Sequence, residues 1–88
     1  MANCFHLCIM TAGGTLLEGK AEYCRLPTAG GSVGILADHA PMLCALSEGK
    51  LCCRMEDGAE RAFRVSDGVA EIRDNSVTIL TDRTEEEI

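Results

Sequence analysis

The sequence predicts an all-β protein: many short, mostly antiparallel strands joined by tight turns and closed as a sandwich or a barrel, with at most the start of a helix at its C-terminal end. Three observations carry this expectation. Turn-forming residues recur at short intervals, at Ala12-Gly13-Gly14, Glu18-Gly19, Thr28 to Gly31, Glu48-Gly49, Asp57-Gly58, Asp67-Gly68 and Asp74-Asn75, and the segments between them are too short for most helices. Within those segments apolar and polar residues alternate, which is the period of a half-buried strand. With 88 residues, 47% of them hydrophobic and 25% charged, the chain has the composition of a globular domain, long enough for one core and too short for two.

The elements follow in order. Phe5, Leu7 and Ile9 share one parity, with His6 and Cys8 on the other, so the first strand has one apolar face. Leu26-Pro27-Thr28 leads into the glycine turn. From Gly34 to Leu46 the alternation lapses, and Pro41 lacks an amide donor and pushes Ala40 into extended geometry, so an irregular crossover is expected there. Asp57-Gly58, between Leu51 to Met55 and Ala59 to Val65, is the strongest hairpin signal, because glycine accepts the positive φ of a primed turn. Asp74-Asn75 does the same between Val69 to Arg73 and Ser76 to Thr81. At Thr84 a helix is expected to begin: Thr84 can cap it, Glu87 stands three residues on as in a capping box, and glutamates suit the positive end of the helix dipole. The β domain is therefore placed at residues 1–83, with 84–88 as the helical start.

Several function classes are excluded early. The formal charge of −6 and pI near 4.7 make a surface that repels phosphate, so nucleic acid is not an expected partner. The longest apolar stretch, Ala40 to Leu46, is seven residues against the roughly twenty a membrane-spanning helix needs, so no direct membrane insertion is expected. No Lys or Arg precedes Lys20, and His6 and Gly13-Gly14 interrupt the apolar run, so no secretory signal is read and a cytoplasmic-type compartment follows. The six cysteines are accordingly read as thiols rather than three disulfides.

Candidate chemistry is sparse. The segment Thr28 to Gly34 has neither a Gly-Lys-Ser/Thr ending nor GxGxxG spacing, and reads as a tight turn rather than a phosphate cradle. Cys4, His6 and Cys8 share a strand face and are metal-ligand types. Alternate residues on a straight strand, however, stand ~6.6 Å apart, whereas two ligands on a tetrahedral zinc are about 3.8 Å apart. Cys52 and Cys53 point to opposite faces and no C-x-x-C pair exists, so Cys24, Cys44 and one of Cys52 or Cys53 read as small core hydrophobes. His39 beside Asp38 could orient a general base for Ser32 or Ser66, yet neither serine sits in a nucleophile elbow. A histidine bonded to its own loop, or touching a partner, is the better reading. The residues thus describe a binding module: not an enzyme, with no catalytic site, cofactor or metal. The alternatives are a small cysteine-based metal-binding or redox protein and a secreted disulfide scaffold.

One ordered motif is more specific. Gly31-Ser32-Val33-Gly34-Ile35-Leu36-Ala37-Asp38-His39-Ala40-Pro41 resembles the signature G-x-x-G-I-L-x-x-H-A-P of the epsilon-subunit family of rotary, F-type ATP synthases. Phe5-His6-Leu7, Val65 to Ile72 and Asn75 to Asp82 resemble the family's first and closing strands. The resemblance implies an all-β sandwich of about ten short, mostly antiparallel strands in two sheets, at the foot of the central stalk between the gamma shaft and the membrane c ring. It implies a non-catalytic rotor role in proton-driven ATP synthesis, at the cytoplasmic face of an energy-transducing membrane, and a monomer when isolated. Carried over by position, Gly30, Gly31 and Ser32 face the ring, and His39, Met42 and Cys44 face the shaft. Ser32 stands where family members often carry a carboxylate, so no ion pair to the ring is expected. Family members commonly continue into two inhibitory C-terminal helices that in some cases bind ATP. Thr84 to Ile88 resembles only their first turn, so neither an inhibitory arm nor an ATP site is expected. Within the motif, Gly34 is expected to need a backbone geometry that a side chain would strain.

Overall fold

Alternation translates directly into buried and exposed strand faces. The computed structural model describes residues 3–82 and the backbone of 84–87; Met1, Ala2, Arg83 and Ile88, with the part of the helical expectation that falls on Ile88, lie outside the described residues. Nine strands form among them: β1 (Phe5–Thr11), β2 (Gly14–Thr28), β3 (Gly31–Leu36), β4 (Met42–Leu46), β5 (Gly49–Met55), β6 (Glu60–Val65), β7 (Gly68–Arg73), β8 (Ser76–Thr81) and β9 (Thr84–Glu87). The spatial order is β4-β7-β8-β1-β2-β5-β6-β9, with β3 also on β2. All pairings are antiparallel except β1 with β8.

The key to the sandwich is β2, whose fifteen residues serve both layers. Its first half pairs with β1 from Gly14 to Ala21, and its second half holds β3 on one side and β5 on the other. The register with β5 slips between Ala21 and Tyr23, and such a bulge bends and twists a strand. One layer is therefore β4-β7-β8-β1-β2 and the other β3-β2-β5-β6-β9. Between them lies one core, in which Leu7, Ile9, Leu26, Ile35, Leu51 and Ile79 are wholly buried, each stabilising the fold by about 1.5–3 kcal/mol through burial. Phe5 and Phe63 are its only aromatic members, and Cys24 and Cys53 belong to the same core as small apolar groups.

Both expected hairpins form. Gly58 has φ 89° between β5 and β6, and the Ala59 amide donates to Asp57 Oδ1 at 2.9 Å. Asp74 and Asn75 have φ 51° and 58° between β7 and β8, the pair of positive values a type I′ turn requires.

Three expectations are corrected. Glu18-Gly19 is no turn, because β2 runs through it with Gly19 opposite Leu7, and the missing side chain leaves room for Met55, whose Cε would stand 3.4 Å from a Cβ there. The crossover is shorter than Gly34 to Leu46, since Gly34 to Leu36 belong to β3 and Met42 to Leu46 to β4, which leaves residues 37–41 irregular. Thr84–Glu87 is strand β9 on β6 rather than a first helical turn. The physical reason is that β6 would otherwise present an unpaired edge, and four residues gain more backbone hydrogen bonds from that ladder than from one nucleating turn.

Candidate functional site

The H-A-P segment is irregular but anchored. Asp38 adopts φ 62° and its amide donates to Asn75 Oδ1 at 2.8 Å, while Asn75 Nδ2 donates to the Cys4 carbonyl at 2.9 Å. The Asn75 carbonyl also accepts from the His6 amide at 3.1 Å. One asparagine at the β7–β8 turn thus ties the loop to the start of β1. Asparagine tolerates the left-handed conformation that aims its side chain this way. Sequence reading recognises Asn75 only as a turn residue, since its partners lie 37 and 71 positions away. His39 is half-buried, and its Nδ1 donates to the Ala40 carbonyl at 2.7 Å, so it braces its own loop.

Beyond Pro41 the chain enters β4, the outer strand of its layer. Met42 and Cys44 lie opposite Ile72 and Ala70 and rest half-buried against the core. The intervening Leu43 stands out with 72% of its surface exposed. The outward parity continues across the layer as Ala45, Val69, Leu80 and Met10, which are successive register partners, and Val69 and Leu80 are exposed as well. Sequence reading names Met42 and Cys44 by position and misses Leu43, although the parity of β4 separates them.

The glycine turn is built differently. Gly31 has φ 117°, a value that disfavours any side chain, and nothing lies within 4 Å of a Cβ placed at Gly30 or Gly31. Thr28 Oγ1 donates to the Gly31 carbonyl across the turn. Ser32 follows on β3, exposed and opposite Pro27. Gly30, Gly31 and Ser32 therefore form one bare knuckle, separated from the H-A-P loop by the length of β3, roughly 20 Å at strand rise. Gly34 differs from expectation, for its φ is not left-handed; a Cβ would instead stand 3.1 Å from Tyr23 Oη and 3.3 Å from the ring. It is glycine because Tyr23 lies across it.

The other chemical candidates are not brought together. Ser32 sits at the far end of β3 from His39. His6 Nε2 is 3.0 Å from Glu18 Oε2 on the neighbouring strand, and among the described residues no group of three or more His, Cys, Asp or Glu is placed to hold a metal. Desolvation, with the Glu56 and Glu22 carboxylates next, pushes the Cys4 thiol up, and desolvation with Glu18 does the same for Cys8. A feature absent from the sequence reading is a basic face on the second layer, where Arg25, Lys50, Arg54 and Arg64 share the outward parity of Tyr23 and Cys52.

Residues 4–87 match the family model described as the ATP synthase delta/epsilon chain, beta-sandwich domain. An ATP synthase epsilon chain from a Roseiflexus species is 41% identical over 80 residues, covering 91% of this chain and 57% of that one. The epsilon chain from Desulfitobacterium hafniense is 35% identical over 85 residues, covering 97% and 64%. The chain thus spans about three-fifths of the length of these curated relatives. Among solved structures, a chain of the Euglena gracilis mitochondrial ATP synthase OSCP/F1/c-ring assembly matches with TM-score 0.87 at 24% identity, covering 98% of this chain and 54% of that one. A chain of the Tetrahymena thermophila mitochondrial ATP synthase central stalk and c-ring structure matches with TM-score 0.79 at 17% identity, covering 91% and 64%. At these identities the likeness establishes the fold.

Proposed function

This chain belongs to the delta/epsilon chain β-sandwich family of ATP synthases, and on that premise we propose that it is a non-catalytic central-stalk subunit coupling the gamma shaft to the membrane c ring during proton-driven ATP synthesis. The observation that carries the reading is the family match over nearly the whole sandwich, residues 4–87. The architecture supports it physically. Torque transfer asks for a stiff body with two separate contact surfaces, and a two-layer sandwich sharing strand β2 resists shear between its layers.

On this reading Gly30, Gly31 and Ser32 meet the ring, where a bare turn lets a partner backbone approach closely. His39, Met42 and Cys44, with the protruding Leu43, meet the shaft, since β4 is an outer strand on which Leu43 stands opposite Glu71 and beside the apolar row of Ala45, Val69, Leu80 and Met10. The protein works within a membrane-bound complex, on its cytoplasmic face. No helix among the described residues is long and apolar enough to cross a membrane. Attachment through the gamma subunit and the c ring is part of the same proposal.

The test is sizing-column co-elution with a gamma subunit from the same source. A one-to-one complex is expected, weakened at least about tenfold by Leu43→Asp or His39→Ala, as for loss of a central interface anchor, and unchanged by Ser32→Ala. Absence of a complex at micromolar concentrations would overturn the proposal.

A further inference from the structure

Two cysteines that the rotor reading leaves unused face each other across the ladder. Cys24 on β2 and Cys53 on β5 are direct register partners, with 0% and 3% of their surfaces exposed. The Met55 amide donates to the Ala59 carbonyl of the β5–β6 hairpin, so the backbone groups of Met55, and two residues back those of Cys53, are turned toward β6. Cys24 and Cys53 therefore form a non-hydrogen-bonded pair, the closer of the two kinds in an antiparallel ladder, with Cα atoms about 4.5 Å apart. That separation falls within the roughly 4.4–6.8 Å that a disulfide spans. Both side chains lie on the same, inward face of the second layer, whereas the adjacent Cys52 lies opposite Arg25 on the outward face.

The geometry points to Cys24–Cys53 as an oxidation site that closes to a cross-strand disulfide when the protein meets hydrogen peroxide. Cys53 is the entry point, because 3% of its surface is exposed while Cys24 has none, and its register partner on β6 is Arg61, on the same parity, a cation of the kind that favours an attacking thiolate. The Cys24 thiol, pushed up chiefly by burial and then by Cys53 and Cys52, stays protonated and acts second. In the first step the Cys53 sulfur attacks one peroxide oxygen, the O–O bond breaks, and the thiol proton leaves with the other oxygen as water. The Cys24 sulfur then attacks the sulfenic sulfur, the S–O bond breaks, and the Cys24 proton leaves with the hydroxyl as a second water. Two thiols are oxidised by two electrons, and one peroxide is reduced to two waters. The bond forms next to the bulge where β2 passes between layers, so it clamps the one strand that both layers share.

The experiment treats the full chain, dilute and folded, with a small excess of hydrogen peroxide, alkylates the remaining thiols and maps the peptides. The expected result is a loss of about 2 Da, a peptide pair joined through Cys24 and Cys53, and reversal by dithiothreitol. Cys52→Ser should behave as the wild type, and Cys53→Ala should lose the product. Melting of the oxidised wild type should rise by about 10 °C, since the bond closes a loop of some thirty residues. The wild-type peptide map decides the matter even where a core variant folds poorly. Sulfinic acid at either position without the joined pair, a linkage through Cys52, or covalent dimers as the main product would each overturn the proposal.

Discussion

The two candidate surfaces sit at opposite ends of β3 and are held in place by different means. The H-A-P loop is tied from outside itself: Asn75 bonds both the Asp38 amide and the Cys4 carbonyl, so the loop, the β7–β8 turn and the entry to β1 move as one body. The glycine turn is held by its own backbone, with Thr28 bonded to Gly31 across it and nothing packed on Gly30 or Gly31. Under the proposed rotor role, the first suits a contact that receives torque, welded to the sandwich, and the second a contact that is small and bare. The comparison teaches that the same strand can present a tertiary-anchored contact at one end and a locally anchored one at the other.

The sharpest way to break this comparison is Asn75→Ala. It removes two hydrogen bonds, each worth about 0.5–1.5 kcal/mol, and puts alanine at a left-handed φ, so denaturant melts should show a loss of about 2–3 kcal/mol. Amide exchange should rise at Asp38, whose acceptor Oδ1 is lost, more than at His6, whose acceptor is the backbone carbonyl that alanine retains. A loss confined to the β7–β8 turn would show that the loop is not anchored as described.

Next in size is a pH effect that acts on both ends equally because it runs through the core. Burial, with Cys53 and Cys52 next, holds the Cys24 thiol above its ordinary 9.0. In the unfolded chain the thiol ionises near that value, while the folded chain keeps its proton, so above it the unfolded state binds fewer protons. Stability is therefore full below about pH 9 and falls as pH rises further, by at most about 1.4 kcal/mol per pH unit from this group. Cys24→Ala should flatten that alkaline limb in melts from pH 8 to 11. An unchanged slope would assign the limb to other groups.

The smallest effects belong to the glycine turn. Gly31→Ala should cost about 1–2 kcal/mol from backbone strain at φ 117°, without altering exchange at the H-A-P loop. Ser32→Asp, exposed on β3, should stay within about 0.5 kcal/mol. If Gly31→Ala loosened the loop as well, the two ends would not be independently held.

Much of this was readable in the residues, and the boundary between what was and was not is physical. Asp57-Gly58 and Asp74-Asn75 announce their hairpins because a positive φ is a property of two adjacent residues. Leu7 and Ile9 announce a buried face because parity is local. His39 likewise betrays its bond to Ala40 by adjacency. By contrast, Glu18-Gly19 has the composition of a turn and is carried through as strand by its pairing with β1. Thr84 to Glu87 has a helix-start pattern and is recruited by the open edge of β6. Leu43 is not set apart from Met42 and Cys44 by local pattern, because its exposure depends on which side of β4 the core lies.

The strands with their apolar faces, the two primed hairpins and the family motif are legible locally, since each rests on residues within a few positions of one another. The passage of β2 between layers, the Asn75 clamp, the Tyr23 ring over Gly34 and the meeting of Cys24 with Cys53 arise only in the folded chain. Each of these depends on which distant strand lies alongside, and that is settled by burying one shared core and pairing every ladder edge, a sum over the whole chain that no local pattern contains.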